Sequence, residues 1–149
     1  MRGKVNEISI SYKEPSAIEN APSIKSSYDA AELLFENWDI DTINLYESFK
    51  VLLLNNSNKV KGVYELSRGS ITGTLVDMRI LFATVLKSLS VGIILAHNHP
   101  SGKLQASEAD IRLTKKIQKA AKLLDISVLD HLIIAPNGNY FSFADNHII

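Results

Sequence analysis

Two histidines one residue apart, His97 and His99, close the apolar run Val91-Gly92-Ile93-Ile94-Leu95-Ala96. The run is short, rich in β-branched residues and preceded by Ser90, which predicts a buried strand. Positions i and i+2 of a strand share a face, so the two imidazoles project side by side. Pro100 and Gly102 end the strand, and Ser107 opens a helix as its N-cap with Asp110 in the first turn. A carboxylate at that helix start can meet two histidines from the strand end. Three nitrogen and oxygen ligands with room for water form the ligand set of a catalytic zinc site rather than a structural one.

Singly, each of these residues has an ordinary reading. A lone His at a strand end is commonly a hydrogen-bonded structural residue. Ser107 can be only a cap, and Asp110 only a carboxylate favoured by the helix dipole. The combination is harder to explain so. A strand end gains nothing from two imidazoles on one face, where protonation would bring like charges together. Other His-rich patterns do not fit. A cupin-type site would have a Glu where Lys103 and Leu104 stand, and a metallo-β-lactamase-type site would have Asp-His where Ser101 and Gly102 stand. The chain has no cysteine, which excludes a zinc deaminase, and H-E-x-x-H is absent.

The pattern H-x-H, seven residues, S-x-x-D, with a Glu upstream, resembles the JAMM (JAB/MPN-type) metalloprotease motif. His97-Asn98-His99-Pro100-Ser101-Gly102 with the later S-x-x-D is more similar to bacterial RadC-like proteins than to eukaryotic deubiquitinases. The resemblance runs from about Glu47 to Phe143 and includes Val76-Asp77-Met78-Arg79 and Leu129-Asp130-His131-Leu132-Ile133-Ile134. It implies an α/β, three-layer-like sandwich of JAB/MPN, cytidine-deaminase-like type, with a mixed β-sheet flanked by helices. It also implies one zinc per chain on His97, His99 and Asp110, and hydrolysis of a peptide or isopeptide bond in a peptide or protein substrate. A zinc hydrolase needs a carboxylate to move the proton of the attacking water. In the family this Glu lies on a strand before H-x-H, which matches Glu47. Glu65, in a second hairpin strand, and Glu36, in a helix, are the competitors. Ser107 would donate a hydrogen bond to the developing oxyanion, since a capping hydroxyl that accepts from a backbone N–H still has its own proton to give. Asn98 is expected on the opposite face as a structural residue, and His131 to pack or hydrogen-bond within a strand. His147 has no partner spacing.

The elements that must position these groups follow from the rest of the chain. At 149 residues and 46% hydrophobic, one domain can bury a core. Residues 5 to 12 alternate loosely, suggesting an N-terminal edge strand, and residues 13 to 26, with Pro15 and Pro22, suggest a surface loop. Residues 27 to 149 then form the core that carries the site. Ser27 caps a helix to about Trp38 with Ala31, Leu34, Phe35 and Trp38 as its stripe. Residues 47 to 55 and 59 to 67 read as a hairpin, and Gly69 to Gly73 as a loop. A helix spans Val76 to Leu89, with Ile80, Ala83, Val85 and Leu86 among its apolar positions. After the histidine strand, a helix from Glu108 to Leu124 presents Leu113, Ile117, Ala120, Ala121 and Leu124 on one face. Strands at 126 to 135 and 139 to 143 flank a turn at Pro136-Asn137-Gly138. Helices interleaved with hairpins imply an α/β sandwich with a mixed sheet.

Charge separates the remaining function classes. Formal net charge is +0 and the pI about 6.9. Between Asp29 and Glu47 lie six acidic residues and no Lys or Arg, a solvated face ill-suited to nucleic acid. Arg112, Lys115, Lys116, Lys119 and Lys122 could touch phosphates, the DNA-repair role historically attached to RadC-like proteins. The helix-hairpin-helix region of longer RadC-like proteins is not evident in residues 1 to 46. A third class is an interaction module that holds metal without turnover. With no 18-residue apolar run, no evident signal peptide and no cysteine, a cytoplasmic protein without membrane contact is expected. Oligomeric state is open.

Overall fold

Every residue of Gly92–Asn98 is buried, and a strand covered on both faces must lie inside a sheet with elements packed on each side. The computed structural model describes residues 3–13, 17–69 and 75–149, and places this strand, β3, at the centre of a five-stranded sheet. In chain order the elements are α1 (Ser27–Glu36), β1 (Ser48–Leu54), β2 (Val60–Arg68), α2 (Met78–Lys87), β3, α3 (Glu108–Leu123), β4 (Ser127–Ile134) and β5 (Tyr140–Ser142). The sheet order is β2-β1-β3-β4-β5. β3 and β4 are parallel and joined through α3, while the other neighbours pair antiparallel. The fold is α/β with a mixed sheet between helices.

Strand alternation divides the core in two. Phe49, Val51 and Leu53 of β1 and Ile93 and Leu95 of β3 pack with Leu81 and Val85 of α2 and Ile117 and Ala121 of α3. Leu52, Leu54, Ile94 and Ala96 pack on the other side with Ala31 and Leu34 of α1 and with Trp38. The same alternation sends His97 toward α3 and Asn98 toward the segment after α1.

β4 breaks its alternation once. Val128 packs on the α3 side, and an unbroken strand would send Asp130 and Leu132 there too. The β3–β4 register slips between Ile93 and Ile94, leaving Leu129 as an extra residue. Leu132 and Ile134 consequently pack on the α1 side, and His131 turns to the side of His97.

Several sequence expectations change. Residues 5 to 12 form no strand: Val5, Ile8 and Ile10 are 91%, 88% and 76% exposed, so the alternating pattern lacks a covering surface. Helix α1 is capped by Ser26, whose side chain accepts from the Asp29 N–H, so Ser27 is already helical and the helix ends before Trp38. Helix α2 starts after Asp77, which accepts from the Arg79 and Ile80 N–H groups. It buries Leu81, Phe82 and Val85, whereas Ile80, Ala83 and Leu86 are exposed. With apolar residues around most of its circumference, periodicity alone does not single out its inner face, and of the four apolar positions read from the sequence only Val85 is buried. Leu124 caps α3 and is exposed. Pro15, and residues 70 to 73 of the expected Gly69–Gly73 loop, lie outside the described residues.

Candidate metal centre

His97 is the penultimate residue of β3 and only 2% exposed. Its ring stacks on Phe49, with centroids 6.1 Å apart and planes 3° from parallel. His99 lies just past the strand, but its N–H still bonds the Ile134 carbonyl at 3.0 Å, carrying the parallel ladder one step further. The Gly102 N–H then returns to the His99 carbonyl at 2.9 Å, with Gly102 at φ 79°, a conformation natural to glycine. This tight loop brings the Lys103 carbonyl to 2.6 Å from His99 Nδ1. Only a ring N–H can bond a carbonyl, so neutral His99 carries its proton on Nδ1 and has a bare Nε2.

Helix α3 opens with a reciprocal capping box. Ser107 Oγ accepts from the Asp110 N–H at 3.0 Å, and Asp110 Oδ2 accepts from the Ser107 N–H at 2.9 Å. Such a cap contributes about 1 kcal/mol, and here it also aims a carboxylate. Asp110 Oδ1 lies 3.5 Å from His97 Nε2, and Oδ2 lies 3.7 Å from His99 Nε2. The two Nε2 atoms are 2.9 Å apart. One ligand atom from each residue falls within 4.8 Å of the other two. Ligands about 2.0–2.1 Å from a tetrahedral ion lie about 3.3 Å from one another, so the spacing suits a small cation. The donor chemistry agrees: with His99 neutral, two carboxylate oxygens and its Nε2 all offer lone pairs to one point. Burial works to raise the Asp110 carboxyl, but the neighbouring His97 and His99 rings and the Ser107 N–H outweigh it and hold the group well below the usual carboxylate range.

Glu47 immediately precedes β1, not within it, and its Oε1 lies 3.8 Å from His99 Nε2. Desolvation raises its carboxyl above the ordinary value, against the lowering influence of His97 and His99. Its backbone is held on both sides by Asn98. Asn98 Oδ1 accepts from the Ser48 N–H at 2.7 Å, and Nδ2 donates to the Ile43 and Tyr46 carbonyls at 2.6 and 2.9 Å. The amide between the two histidines thus fastens the segment carrying Glu47 to the histidine strand.

His131 and Thr114 complete the site's inner wall; the sequence expected His131 to pack or hydrogen-bond within a strand, as it does, without identifying its partners, and did not single out Thr114. Both are at 0% exposure. His131 Nε2 lies 2.8 Å from His97 Nδ1, and its Nδ1 lies 2.6 Å from Thr114 Oγ1. Full burial, followed by the neighbouring His97, pushes His131 well below the usual histidine range, so the ring is neutral. Phe143 stacks on it at 4.4 Å. A polar residue at an apolar position of α3, three after Ile111 and three before Ile117, was the available signal for Thr114. His97, His99, Asp110 and Glu47 therefore converge through the end of β3, the start of α3 and the entry to β1, with Ser107 joined to them through its hydrogen bonds with Asp110. Glu65 is instead paired with Arg68 on β2 at 3.3 Å, and Glu36 ends α1. His147 lies in the C-terminal tail.

A family model described as the RadC-like JAB domain matches residues 24–148. A UPF0758 protein of Flavobacterium johnsoniae is 52% identical over 103 residues, covering 69% of this chain and 44% of that protein. One from Porphyromonas gingivalis is 48% identical, covering 69% and 45%. One from Alkaliphilus oremlandii is 38% identical over 130 residues, covering 87% and 54%. The chain spans about half the length of these curated relatives, and their names state no activity.

Proposed function

Because this chain belongs to the RadC-like JAB domain family, within a superfamily that includes peptidases, we propose that it is a zinc-dependent hydrolase of peptide or isopeptide bonds. The observation that carries the reading is the convergence of two imidazole nitrogens and a carboxylate within 4.8 Å, with a second carboxylate, Glu47, 3.8 Å from His99 Nε2. His97, His99 and Asp110 would hold the ion, which when bound supplies a Lewis acid and lowers the pKa of water toward neutrality. Glu47 takes the proton of the attacking water at a carboxylate oxygen and returns it to the leaving amine. Partial burial raises its basicity toward the range a general base needs. Ser107 accepts from the Asp110 N–H through one lone pair, which leaves its proton for the oxyanion of the substrate. The test joins two measurements on the purified chain. About one zinc per chain, lost in a His97→Ala, Asp110→Ala double variant, supports the centre. Cleavage of a peptide or isopeptide library that stops in Glu47→Gln supports the reaction, whereas metal binding without cleavage of any substrate points to an interaction module.

A second reading, contact with nucleic-acid phosphates, draws support from the exposed cations of α3. Arg112, Lys115, Lys116, Lys119 and Lys122 recur at helical spacing and are all exposed. Salt-dependent duplex binding that falls on reversing the four lysines supports it, and no binding at low salt removes it. Among the described residues no helix is long and apolar enough to cross a membrane.

A further inference from the structure

The geometry points to Thr114 as the residue that sets the tautomer of His97, acting through His131; this rests on the metal-centre reading above. Four groups form an unbroken series. The Asp110 carbonyl lies 2.7 Å from Thr114 Oγ1, which lies 2.6 Å from His131 Nδ1, and His131 Nε2 lies 2.8 Å from His97 Nδ1. The series has three links. With one ring proton on each imidazole, as holding an ion requires of His97, the hydroxyl and the two rings bring one proton each, so their protons can all run one way or all run the other.

The end of the series decides the direction. A carbonyl oxygen can only accept, so the contact at 2.7 Å is favourable only when the Thr114 proton lies in it. Thr114 must then accept from His131 Nδ1–H, His131 Nε2 must accept from His97 Nδ1–H, and His97 Nε2 is left bare, 3.5 Å from Asp110 Oδ1. The opposite direction places two oxygens against each other without a proton and, although it would fill the 2.9 Å contact between the Nε2 atoms of His97 and His99, it puts a proton on His97 Nε2 where an ion needs a lone pair. Water has no access to rescue that arrangement, since Thr114, His131 and His97 are 0%, 0% and 2% exposed. Asp110 thus acts twice: its carboxylate faces the ion, and its carbonyl, through Thr114 and His131, presents the lone pair of His97. Thr114 and His131 are positioning residues, touching neither ion nor substrate.

The test uses the full chain, zinc alone as probe, competition with a chromophoric chelator, and nitrogen-15 spectra of the imidazoles. In the wild type His97 and His131 are both expected as Nδ1–H tautomers. Thr114→Val preserves shape but removes the acceptor, and is expected to weaken zinc binding about 10–100-fold and move the His131 proton to Nε2. Thr114→Ser is expected to restore affinity and tautomer. If Thr114→Val fails to fold, the wild-type spectrum and Thr114→Ser still decide. Zinc binding unchanged in Thr114→Val, or His131 protonated on Nε2 in the wild type, overturns the inference. A wild type that takes up no zinc yet shows both Nδ1–H rings removes the metal centre and leaves the proton series standing.

Discussion

His97 and His99 stand two residues apart and face the same point, yet they are held in different ways. His97 is fixed by side chains remote in sequence: Phe49 against its ring and His131 at its Nδ1. His99 is fixed by its own loop, through the Lys103 carbonyl four residues on. The His97 side chain is 3% exposed and the His99 side chain 13%. The site therefore has an inner wall built by tertiary packing and an outer wall built by a turn. The inner wall cannot move without disturbing the core, whereas the outer wall can adjust at the cost of one loop. Glu47 belongs to both: its carboxylate reaches toward His99, and its backbone is tied to the strand by Asn98.

Five substitutions probe that division, from the largest expected effect to the smallest. Glu47→Gln is expected to lower turnover about 10²–10⁴-fold with zinc stoichiometry unchanged, measured on any substrate the wild type cleaves. Retained turnover would take Glu47 out of the reaction. His97→Ala and His99→Ala are both expected to abolish stoichiometric zinc binding, but to part in stability. The first leaves a cavity and an unpaired His131 Nε2, costing about 3 kcal/mol; the second changes stability by less than about 0.5 kcal/mol. Urea unfolding of the metal-free proteins reads the difference, and equal losses would erase the distinction between the walls. Asn98→Ala strips partners from the Ser48 N–H and the Ile43 and Tyr46 carbonyls. It is expected to cost about 2 kcal/mol and to reduce turnover more than zinc affinity, because Glu47 drifts. Gly102→Ala has open space for its methyl group but a backbone at φ +79°. A loss of about 1 kcal/mol confined to the outer wall is expected, read as a small drop in unfolding midpoint.

The same division explains what the sequence made legible. His97, His99, Ser107 and Asp110 follow from short-range rules, since two-residue alternation and a helix cap fix where those groups point. Family resemblance was needed for Glu47, because 50 residues separate it from His97 and only the β1–β3 pairing brings them together. Nothing local announced Thr114 and His131 as partners. Their meeting depends on the α3 crossover and on the slipped register at Leu129, and an unbroken alternation through β4 would turn Leu132 to that side instead. The N-terminal pattern failed for the reverse reason. Ile8 and Ile10 alternate as a strand would, but no surface covers them, and alternation alone supplies no partner.

The capping box at the start of α3 has a thermodynamic consequence. Asp110 Oδ2 closes the first turn by accepting the Ser107 N–H, while the same carboxylate faces the two imidazoles. Helix order and ligand geometry thus share one rotamer, and by linkage whatever stabilises one stabilises the other. An ion drawn to the carboxylate restrains fraying of the helix end, and a well-ordered helix end presents the carboxylate already oriented. Amide hydrogen exchange at Asp110 and Ile111 would record that coupling as slower opening when zinc is supplied, at a point on the backbone no substrate need touch.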